Sequence, residues 1–343
     1  MKIGLVGYQG AGKSTLFEWL TGMAHDPAQA HAGQSAMAPV PESRVGPLCQ
    51  VYQPKKVTLA ALELVDTPGL SRSHEGNAAR LGLIREAGCF VLVVAGFGGA
   101  DPLADLASFR EDLLLADMEI VSGRIERLRE SVKKPRPNRE QEQAELAALE
   151  RVLAAIEAGK PLSSAAMGEE ELKATRSFRL LTEKPMLIIV NAADDAENLE
   201  SLSRPATADH PPLLAVRVGL ERELAQMSET DRAEFEQEMG LSGSRRDEVL
   251  RAILDASGQM LYFTAGEKEV RTWMLRQGGT ALEAAGNIHT DLARGFIRAE
   301  TTQCDDLIRL GGEREVKAAG LVRQEPKDYV IRDGDILNIK FSV

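Results

Sequence analysis

The stretch GYQGAGKS, residues 7–14, decides the fold of this chain. It fits the pattern G-x-x-x-x-G-K-[ST], follows the apolar run KIGLV and opens the helical-looking STLFEWLTG. Glycines at these positions let successive backbone N–H groups point inward, and the start of a helix adds the positive end of its dipole. The stretch therefore predicts a loop that wraps around phosphate groups between a strand and a helix.

The pattern also predicts a role for each residue of the loop. Lys13 is expected to reach the β- and γ-phosphates of a nucleotide and to assist catalysis, and the Ser14 hydroxyl is expected to ligate Mg²⁺. The residues expected to contact the phosphates are Gly7, Gly10, Ala11, Gly12, Lys13, Ser14 and Thr15.

A second motif, DTPG at 66–69, follows the apolar run LELV. In phosphate-loop folds an aspartate at such a strand end reaches the Mg²⁺ shell, and the glycine N–H senses the γ-phosphate. We therefore predict Asp66 as a metal ligand and Gly69 as a catalytic-site residue. The same four residues also suit an ordinary turn, but their position downstream of the first loop favours the functional interpretation. The motif also points to the GTPases among phosphate-loop proteins rather than to kinases or motor ATPases.

A third motif is predicted to read the base of the nucleotide. GTPases of this class carry Asn-Lys-x-Asp after a strand, and here MLIIV runs into Asn191-Ala192-Ala193-Asp194. The carboxylate of Asp194 offers acceptors to the guanine N1–H and N2–H₂ groups, whereas alanine replaces the lysine. The alternative is an Asn- and Asp-rich loop with no specific partner.

Short apolar runs alternate with helical stretches, which predicts an α/β fold with a doubly wound, mainly parallel sheet. The runs are 2–7, 59–66, 90–97, 186–191, 213–218 and 260–265. Between the runs 90–97 and 186–191, the apolar residues of 111–157 repeat at steps of three and four. The proline-containing KKPRPN (133–138) interrupts this repeat, which predicts an inserted antiparallel helical hairpin. We predict a nucleotide-binding domain over 1–110 and 180–277, the hairpin over 111–179, and a small α+β domain over 278–343.

Composition limits the possible partners. The net charge of −11 opposes binding to nucleic acid or anionic membranes through bulk electrostatics. Three scattered cysteines and the absence of a signal-like or membrane-spanning run predict a cytoplasmic protein with no membrane partner. The basic run KKPRPNR is either a solvated turn or a contact for ribosomal RNA.

The chain resembles the YchF-type, Obg-like ATPase family of the P-loop GTPase superfamily, as a divergent member. The resemblance covers nearly the whole length and is carried by PVPESRVGPLCQVYQPKKV (39–57), YFTAGEKEVRTW (262–273), AAGNIHTDLARGFIRAET (284–301) and KDYVIRDGDILNIKFSV (327–343). It implies a coiled-coil hairpin inserted in the P-loop domain and a C-terminal TGS domain of β-grasp fold. It also implies binding of ATP at least as well as GTP, slow hydrolysis and association with ribosomes.

Several positions depart from that family. Gly10-Ala11 replaces Asn-Val, Asp194 replaces glutamate, and a histidine implicated in hydrolysis aligns with Leu92. Segment 24–36 lacks the threonine that closes over Mg²⁺ in the family. Ser35 carries the only side-chain hydroxyl in this segment and is therefore the candidate metal ligand there.

The residue after DTPG bears directly on hydrolysis. Leu70 stands where many GTPases have a glutamine that orients water, and a leucine side chain forms no hydrogen bond. His74 is a weak candidate for that role. Two functions follow from the sequence: a slow, Mg²⁺-dependent ATPase or GTPase associated with ribosomes, or a nucleotide-gated adaptor that has lost efficient hydrolysis. The sequence leaves the choice between ATP and GTP open, with a slight preference for ATP.

Overall fold

A computed structural model of the chain describes residues 1–29, 32–159, 168, 175–207, 210–239 and 243–342. The chain forms two compact units, one of residues 1–36 and 64–244 and the other of residues 37–63 and 245–343. The predicted limits of the three domains stay a prediction. None of the described helices is both long and apolar enough to span a membrane.

The strands of the described residues form two sheets. They are β1 (Lys2–Val6), β2 (Gln34–Pro39), β3 (Val57–Thr58), β4 (Ala61–Asp66), β5 (Cys89–Gly96), β6 (Met186–Ala192), β7 (Leu213–Val216), β8 (Gln259–Ala265), β9 (Val270–Arg276), β10 (Phe296–Gln303), β11 (Arg323–Glu325) and β12 (Asp335–Phe341).

The helices of the described residues lie between these strands. They are α1 (Lys13–Thr21), α2 (Val45–Tyr52), α3 (Asn77–Ile84), α4 (Pro102–Ser131), α5 (Arg139–Glu157), α6 (Leu199–Leu202), α7 (Val218–Gln226), α8 (Glu229–Glu238), α9 (Arg246–Ala256), α10 (Ala281–Ile288), α11 (Thr290–Arg294), α12 (Cys304–Leu310) and α13 (Glu313–Ala318). A short 3₁₀ helix covers Pro27–Gln29.

The first sheet has the strand order β2-β4-β1-β5-β6-β7. Strands β1, β5, β6 and β7 pair in parallel, and β5 is buried from Cys89 to Ala95. This continuous burial agrees with the apolar runs, because helices cover both faces of such a sheet. The loops after β1, β4 and β6 follow the carboxyl ends of these strands, where ligands bind in doubly wound folds.

Helices α4 and α5 form the inserted hairpin, and residues 132–138 connect them. Their shared core contains Val121, Ile125, Leu128, Leu149, Val152 and Ile156, with Leu114 and Met118 packed against it. The repeat of apolar residues therefore predicted this interface. Helix α4 begins at Pro102, nine residues earlier than the repeat indicated, because the Asp101 side chain caps its first turn.

One buried carboxylate ties the hairpin to the returning chain. Asp117 is fully buried and accepts hydrogen bonds from Arg85 (2.7 Å), from the backbone N–H of Leu181 (3.0 Å) and from both the N–H and the hydroxyl of Thr182 (2.9 Å each). A buried charge is tolerated only with such partners. These bonds fix α4 against the segment that leads into β6.

The second sheet, of order β11-β10-β12-β8-β9-β3, belongs to the second unit and combines β3 from the N-terminal half with five strands from the C-terminal part of the chain. It is mixed, because β12 pairs antiparallel with β10 and parallel with β8. The run at 260–265 lies here as β8, so the expectation that it extends the first sheet was wrong. The apolar character of the run could not distinguish the two sheets. Leu261 and Phe263 are as apolar and as deeply buried as the strand residues of the first sheet.

Candidate functional site

The phosphate loop, residues 7–15 at the junction of β1 and α1, includes Lys13, whose ammonium group contacts the backbone of the same loop. The Lys13 side chain is buried, and its Nζ donates a hydrogen bond to the carbonyl oxygen of Tyr8 at 2.9 Å. Burial lowers the pKa of Lys13 to about 8, although the negative charge of Asp66 acts in the opposite direction. Among the described residues this carbonyl oxygen is the one hydrogen-bond acceptor of the buried ammonium, and a buried cation with so few partners favours the arrival of an anion.

Gly12 brings the loop into contact with Asn191. Gly12 has φ 96°, and a Cβ at this position would collide with Asn191 Nδ2. The Asn191 amide donates to the carbonyl oxygen of Ala11 at 3.1 Å, and its Oδ1 accepts from the Val218 N–H at 3.3 Å. The predicted base-reading asparagine therefore holds the phosphate loop to the start of α7.

Asp194 also contacts the start of α7. Its Oδ1 accepts a hydrogen bond from the Leu220 N–H at 3.1 Å, and Gly219 lies against the same oxygen. Asp194 is an exposed residue. Residues 217–220 are a part of the site that the sequence analysis missed. The available signal was Gly219, directly after the run LLAVRV (213–218), in which we expected the strand to continue to Val218 although it ends at Val216.

Ser14 and Asp66 lie together, as their motifs predict for a metal site. The Ser14 hydroxyl donates to Asp66 Oδ2 at 2.6 Å. Asp66 Oδ1 is buried without a hydrogen-bond partner in the described residues, and an unsatisfied buried carboxylate oxygen is costly. A hydroxyl and a carboxylate are oxygen ligands of the kind Mg²⁺ takes, so these two residues fit the ion.

Ser35 is the hydroxyl predicted as a metal ligand from segment 24–36, and this role stays a prediction. It occupies the exposed face of β2, and its neighbour Gln34 is buried on the opposite face, because side chains alternate along a strand. The side chain that contacts Asp66 from this part of the chain is His25, whose Nδ1 lies 3.1 Å from Asp66 Oδ2. No motif in the sequence indicated this contact.

The DTPG segment packs directly against the phosphate loop. A Cβ on Gly69 would lie 2.6 Å from Lys13 Nζ and 2.8 Å from the Gln9 backbone nitrogen. Backbone hydrogen bonds from Leu70 N to Gly7 O (3.1 Å) and from Gln9 N to Leu70 O (3.0 Å) join the two segments. Only glycine fits at position 69 without a shift of its neighbours, so the Gly69 backbone lies close to the Lys13 ammonium group.

Leu70 and Leu92 are both fully buried in the core of the first unit. Neither side chain can therefore orient a water molecule. Leu92 stands in the middle of β5 beside Ile188, which explains an apolar residue at the position aligned with the family histidine.

The loop after DTPG is tied to helix α4. Arg72 forms two hydrogen bonds with Asp105, at 2.5 and 2.7 Å, and its guanidinium lies 4.6 Å from the centre of the Tyr8 ring. The Tyr8 hydroxyl donates to Asp112 Oδ2 at 2.8 Å, and burial together with this bond raises the Tyr8 pKa, which keeps the proton on the oxygen. His74, the weak water-orienting candidate, is exposed, with its Nδ1 3.4 Å from Asp112 Oδ1. Its predicted role stays a prediction.

Two regions of the chain match known protein families. Residues 2–122 match the family described as 50S ribosome-binding GTPase, and residues 260–342 match the YchF GTPase C-terminal family, described as a protein of unknown function (DUF933). The chain is 34% identical to the ribosome-binding ATPase YchF of Bacillus subtilis (strain 168), over 99% of both chains. It is 35% identical to Obg-like ATPase 1 of Oryza sativa subsp. japonica, over 100% of this chain and 92% of the relative.

The fold matches a solved structure as well. The YchF GTPase of Schizosaccharomyces pombe superposes with a TM-score of 0.83 and 28% identity, over 99% of this chain and 97% of the other. This match confirms the predicted α/β P-loop fold with an inserted hairpin and a C-terminal module. The chain therefore belongs to the YchF family of P-loop nucleotide-binding proteins, as the first eight-residue motif and the C-terminal segments predicted.

Proposed function

We propose that this chain binds a purine nucleoside triphosphate, ATP or GTP, with Mg²⁺, hydrolyses it slowly, and uses the bound state to control association with the ribosome. The observation that carries the proposal is that Asp66 and Gly69 lie against the loop of residues 7–15. There they contact Ser14 and Lys13, respectively. Similarity to proteins named ribosome-binding ATPase supports the partner.

The phosphate end of the nucleotide is assigned to the loop of residues 7–15. The first N–H groups of α1 have no partner within the helix and point toward its amino end, where a phosphate group accepts from them. Lys13 supplies positive charge at the same place, and Ser14 with Asp66 supplies the ligands for Mg²⁺. When bound, the ion offsets negative charge on the phosphate oxygens.

The base is assigned to the neighbourhood of Asp194. The Leu220 N–H holds one of its oxygens, and the other is left for a base N–H donor. Alanine at 192 and 193 adds no charged side chain, so the hydrogen bond from a base amine to this carboxylate is the main discriminating contact. Guanine offers two such donors and adenine one amine, and we expect both nucleotides to bind.

Slow hydrolysis follows from the groups near Gly69. The Leu70 side chain points into the core, and Gly10 carries no side chain to assist the reaction. Loss of a water-orienting group or a stabilising cation lowers phosphoryl-transfer rates by several orders of magnitude. The alternative function, a nucleotide-gated adaptor without useful hydrolysis, uses the same binding residues.

The hairpin is the element that the nucleotide state can influence. Gly69 and Leu70 contact the phosphate loop, whereas Arg72 contacts Asp105 on α4. A phosphate that displaces Gly69 pulls on the segment that carries Arg72, and the strain reaches α4 through this ion pair. This chain of contacts links the γ-phosphate to the base of the hairpin.

The tip of the hairpin provides the charge for a ribosomal partner. Along its helices, Arg124 pairs with Glu145 and Arg129 with Glu150, so these positive charges are neutralised. At the tip, three exposed cations form no side-chain ion pair with other described residues: Lys134, Arg136 and Arg139. The tip is therefore a local basic surface on an acidic protein, suited to the phosphates of ribosomal RNA.

Replacement of the loop lysine tests nucleotide binding. We expect Lys13→Ala to weaken binding of both ATP and GTP analogues by about 10- to 100-fold, because a hydrogen bond to a charged group contributes about 1.5–3 kcal/mol. The measurement is a fluorescent-nucleotide titration with Mg²⁺. Lys134→Ala, an exposed lysine at the hairpin tip, is the matched control and should bind normally. Unchanged affinity in Lys13→Ala would contradict the assignment.

Phosphate release separates the two functions. In a single-turnover assay with Mg²⁺ and K⁺, we expect hydrolysis slower than about one event per minute, on the scale of unassisted GTPases. The Lys13→Ala variant sets the background. Release that stays at this background with and without ribosomes would favour the adaptor, whereas fast release that is lost in His74→Ala would show that His74 orients the water.

Reversal of the tip charges tests the ribosome contact. We expect the triple variant to lose most ribosome co-sedimentation and to show a weaker dependence on salt, because each lost phosphate contact lowers that dependence by about 0.7–0.9 in logarithmic slope. The variant is Lys134→Glu, Arg136→Glu and Arg139→Glu. A control triple of equal charge change, remote in sequence from the tip, is Lys2→Glu, Arg176→Glu and Arg204→Glu. Equal losses in both would exclude a specific role for the tip.

A further inference from the structure

His25 is held in place by hydrogen bonds on both sides of it. Its backbone N–H donates to Glu18 Oε1 at 2.9 Å. The side chain of Gln34 accepts from the Asp26 N–H at 2.8 Å and donates to the Ala24 carbonyl oxygen at 3.0 Å. Because Gln34 is buried on β2, it anchors the two residues that flank His25. The main-chain position of His25 is therefore fixed by the fold of the first unit.

The imidazole faces the carboxylate that the metal site requires. His25 Nδ1 lies 3.1 Å from Asp66 Oδ2, the oxygen that also accepts from Ser14 at 2.6 Å. His25 Nδ1 is buried and makes no properly directed hydrogen bond within the described residues, and Asp66 Oδ1 also lacks a partner there. Two ligand atoms placed at right angles around an ion at about 2.1 Å lie about 3 Å apart. The spacing of His25 Nδ1 and Asp66 Oδ2 fits two ligands of one ion, and the ion would give the unsatisfied Nδ1 a partner.

We propose that His25 is a protein ligand, with Ser14 and Asp66, of the divalent ion that accompanies the nucleotide, and that it shifts the site's preference from Mg²⁺ toward Mn²⁺ and similar transition ions. The inference rests on the proposed function. It also accounts for the missing threonine of segment 24–36, because the histidine supplies a ligand from the same part of the chain.

The chemistry of the ligand explains the preference. Mg²⁺ takes oxygen ligands almost exclusively and gives up its water molecules reluctantly. An imidazole nitrogen suits first-row transition ions, whose affinity for nitrogen-containing sites rises along the series from Mn²⁺. A site with one nitrogen and two oxygens from the protein therefore distinguishes these ions more strongly than a site of oxygens alone.

Pulsed electron paramagnetic resonance of Mn²⁺ tests the ligand directly. The full chain is loaded with Mn²⁺ and a β,γ-methylene triphosphate analogue, which has no bridging nitrogen, and is prepared with and without ¹⁵N-histidine. We expect a nitrogen coupling whose frequency changes with the isotope. The coupling should disappear in His25→Ala and persist in His210→Ala, an exposed histidine of the same unit. A complex without histidine coupling overturns the inference.

Metal affinities of the nucleotide complex give a second readout. For His25→Ala we expect the affinity for Mn²⁺ to fall about 10- to 100-fold and the affinity for Mg²⁺ to change less than about threefold, the scale on which ligand-shell changes act. Equal losses for both ions overturn the inference and leave a structural role for His25. Binding of the analogue by fluorescence titration separates the two proposals: if the wild-type chain binds none with either ion, the proposed function itself fails.

Discussion

The close approach of the Gly69 backbone to Lys13 and Gln9 is the constraint on which the rest of the site depends. A side chain at position 69 would overlap the ammonium group, so the two segments meet only because one of them lacks a Cβ. This contact joins the phosphate loop to the strand that ends in Asp66 and to the segment that carries Arg72. Backbone hydrogen bonds of Leu70 with Gly7 and Gln9 hold the DTPG segment against the loop.

A second close contact fixes the other side of the loop. Gly12 allows Asn191 to reach the Ala11 carbonyl oxygen, and Asn191 in turn holds the first N–H of α7. The candidate site is thus assembled from three strand ends, each contributing one short polar segment. The negative charge of the whole protein does not prevent anion binding there, because helix N-termini and one buried lysine set the local field.

The sequence predicted those parts of the site whose chemistry is local. A glycine-rich loop before a helix, and an aspartate after a strand, are set by neighbours in the chain, and the structure brings Lys13, Ser14 and Asp66 together accordingly. The hairpin was equally predictable, because its core follows a regular repeat. Contacts that depend on tertiary packing were not predictable: His25 and Asp66 are 41 positions apart, and β8 joins a sheet that its own residues do not specify.

Backbone hydrogen exchange of residues 7–15 tests the central claim, that main-chain N–H groups of this loop grip a triphosphate. The exchange is measured by mass spectrometry with and without Mg²⁺ and a non-hydrolysable triphosphate. The account expects strong slowing across the loop and in the segment 66–72, because phosphate oxygens would accept from the loop and Gly69 would move with them. Exchange in both segments that is unchanged at a saturating concentration of the nucleotide would contradict it.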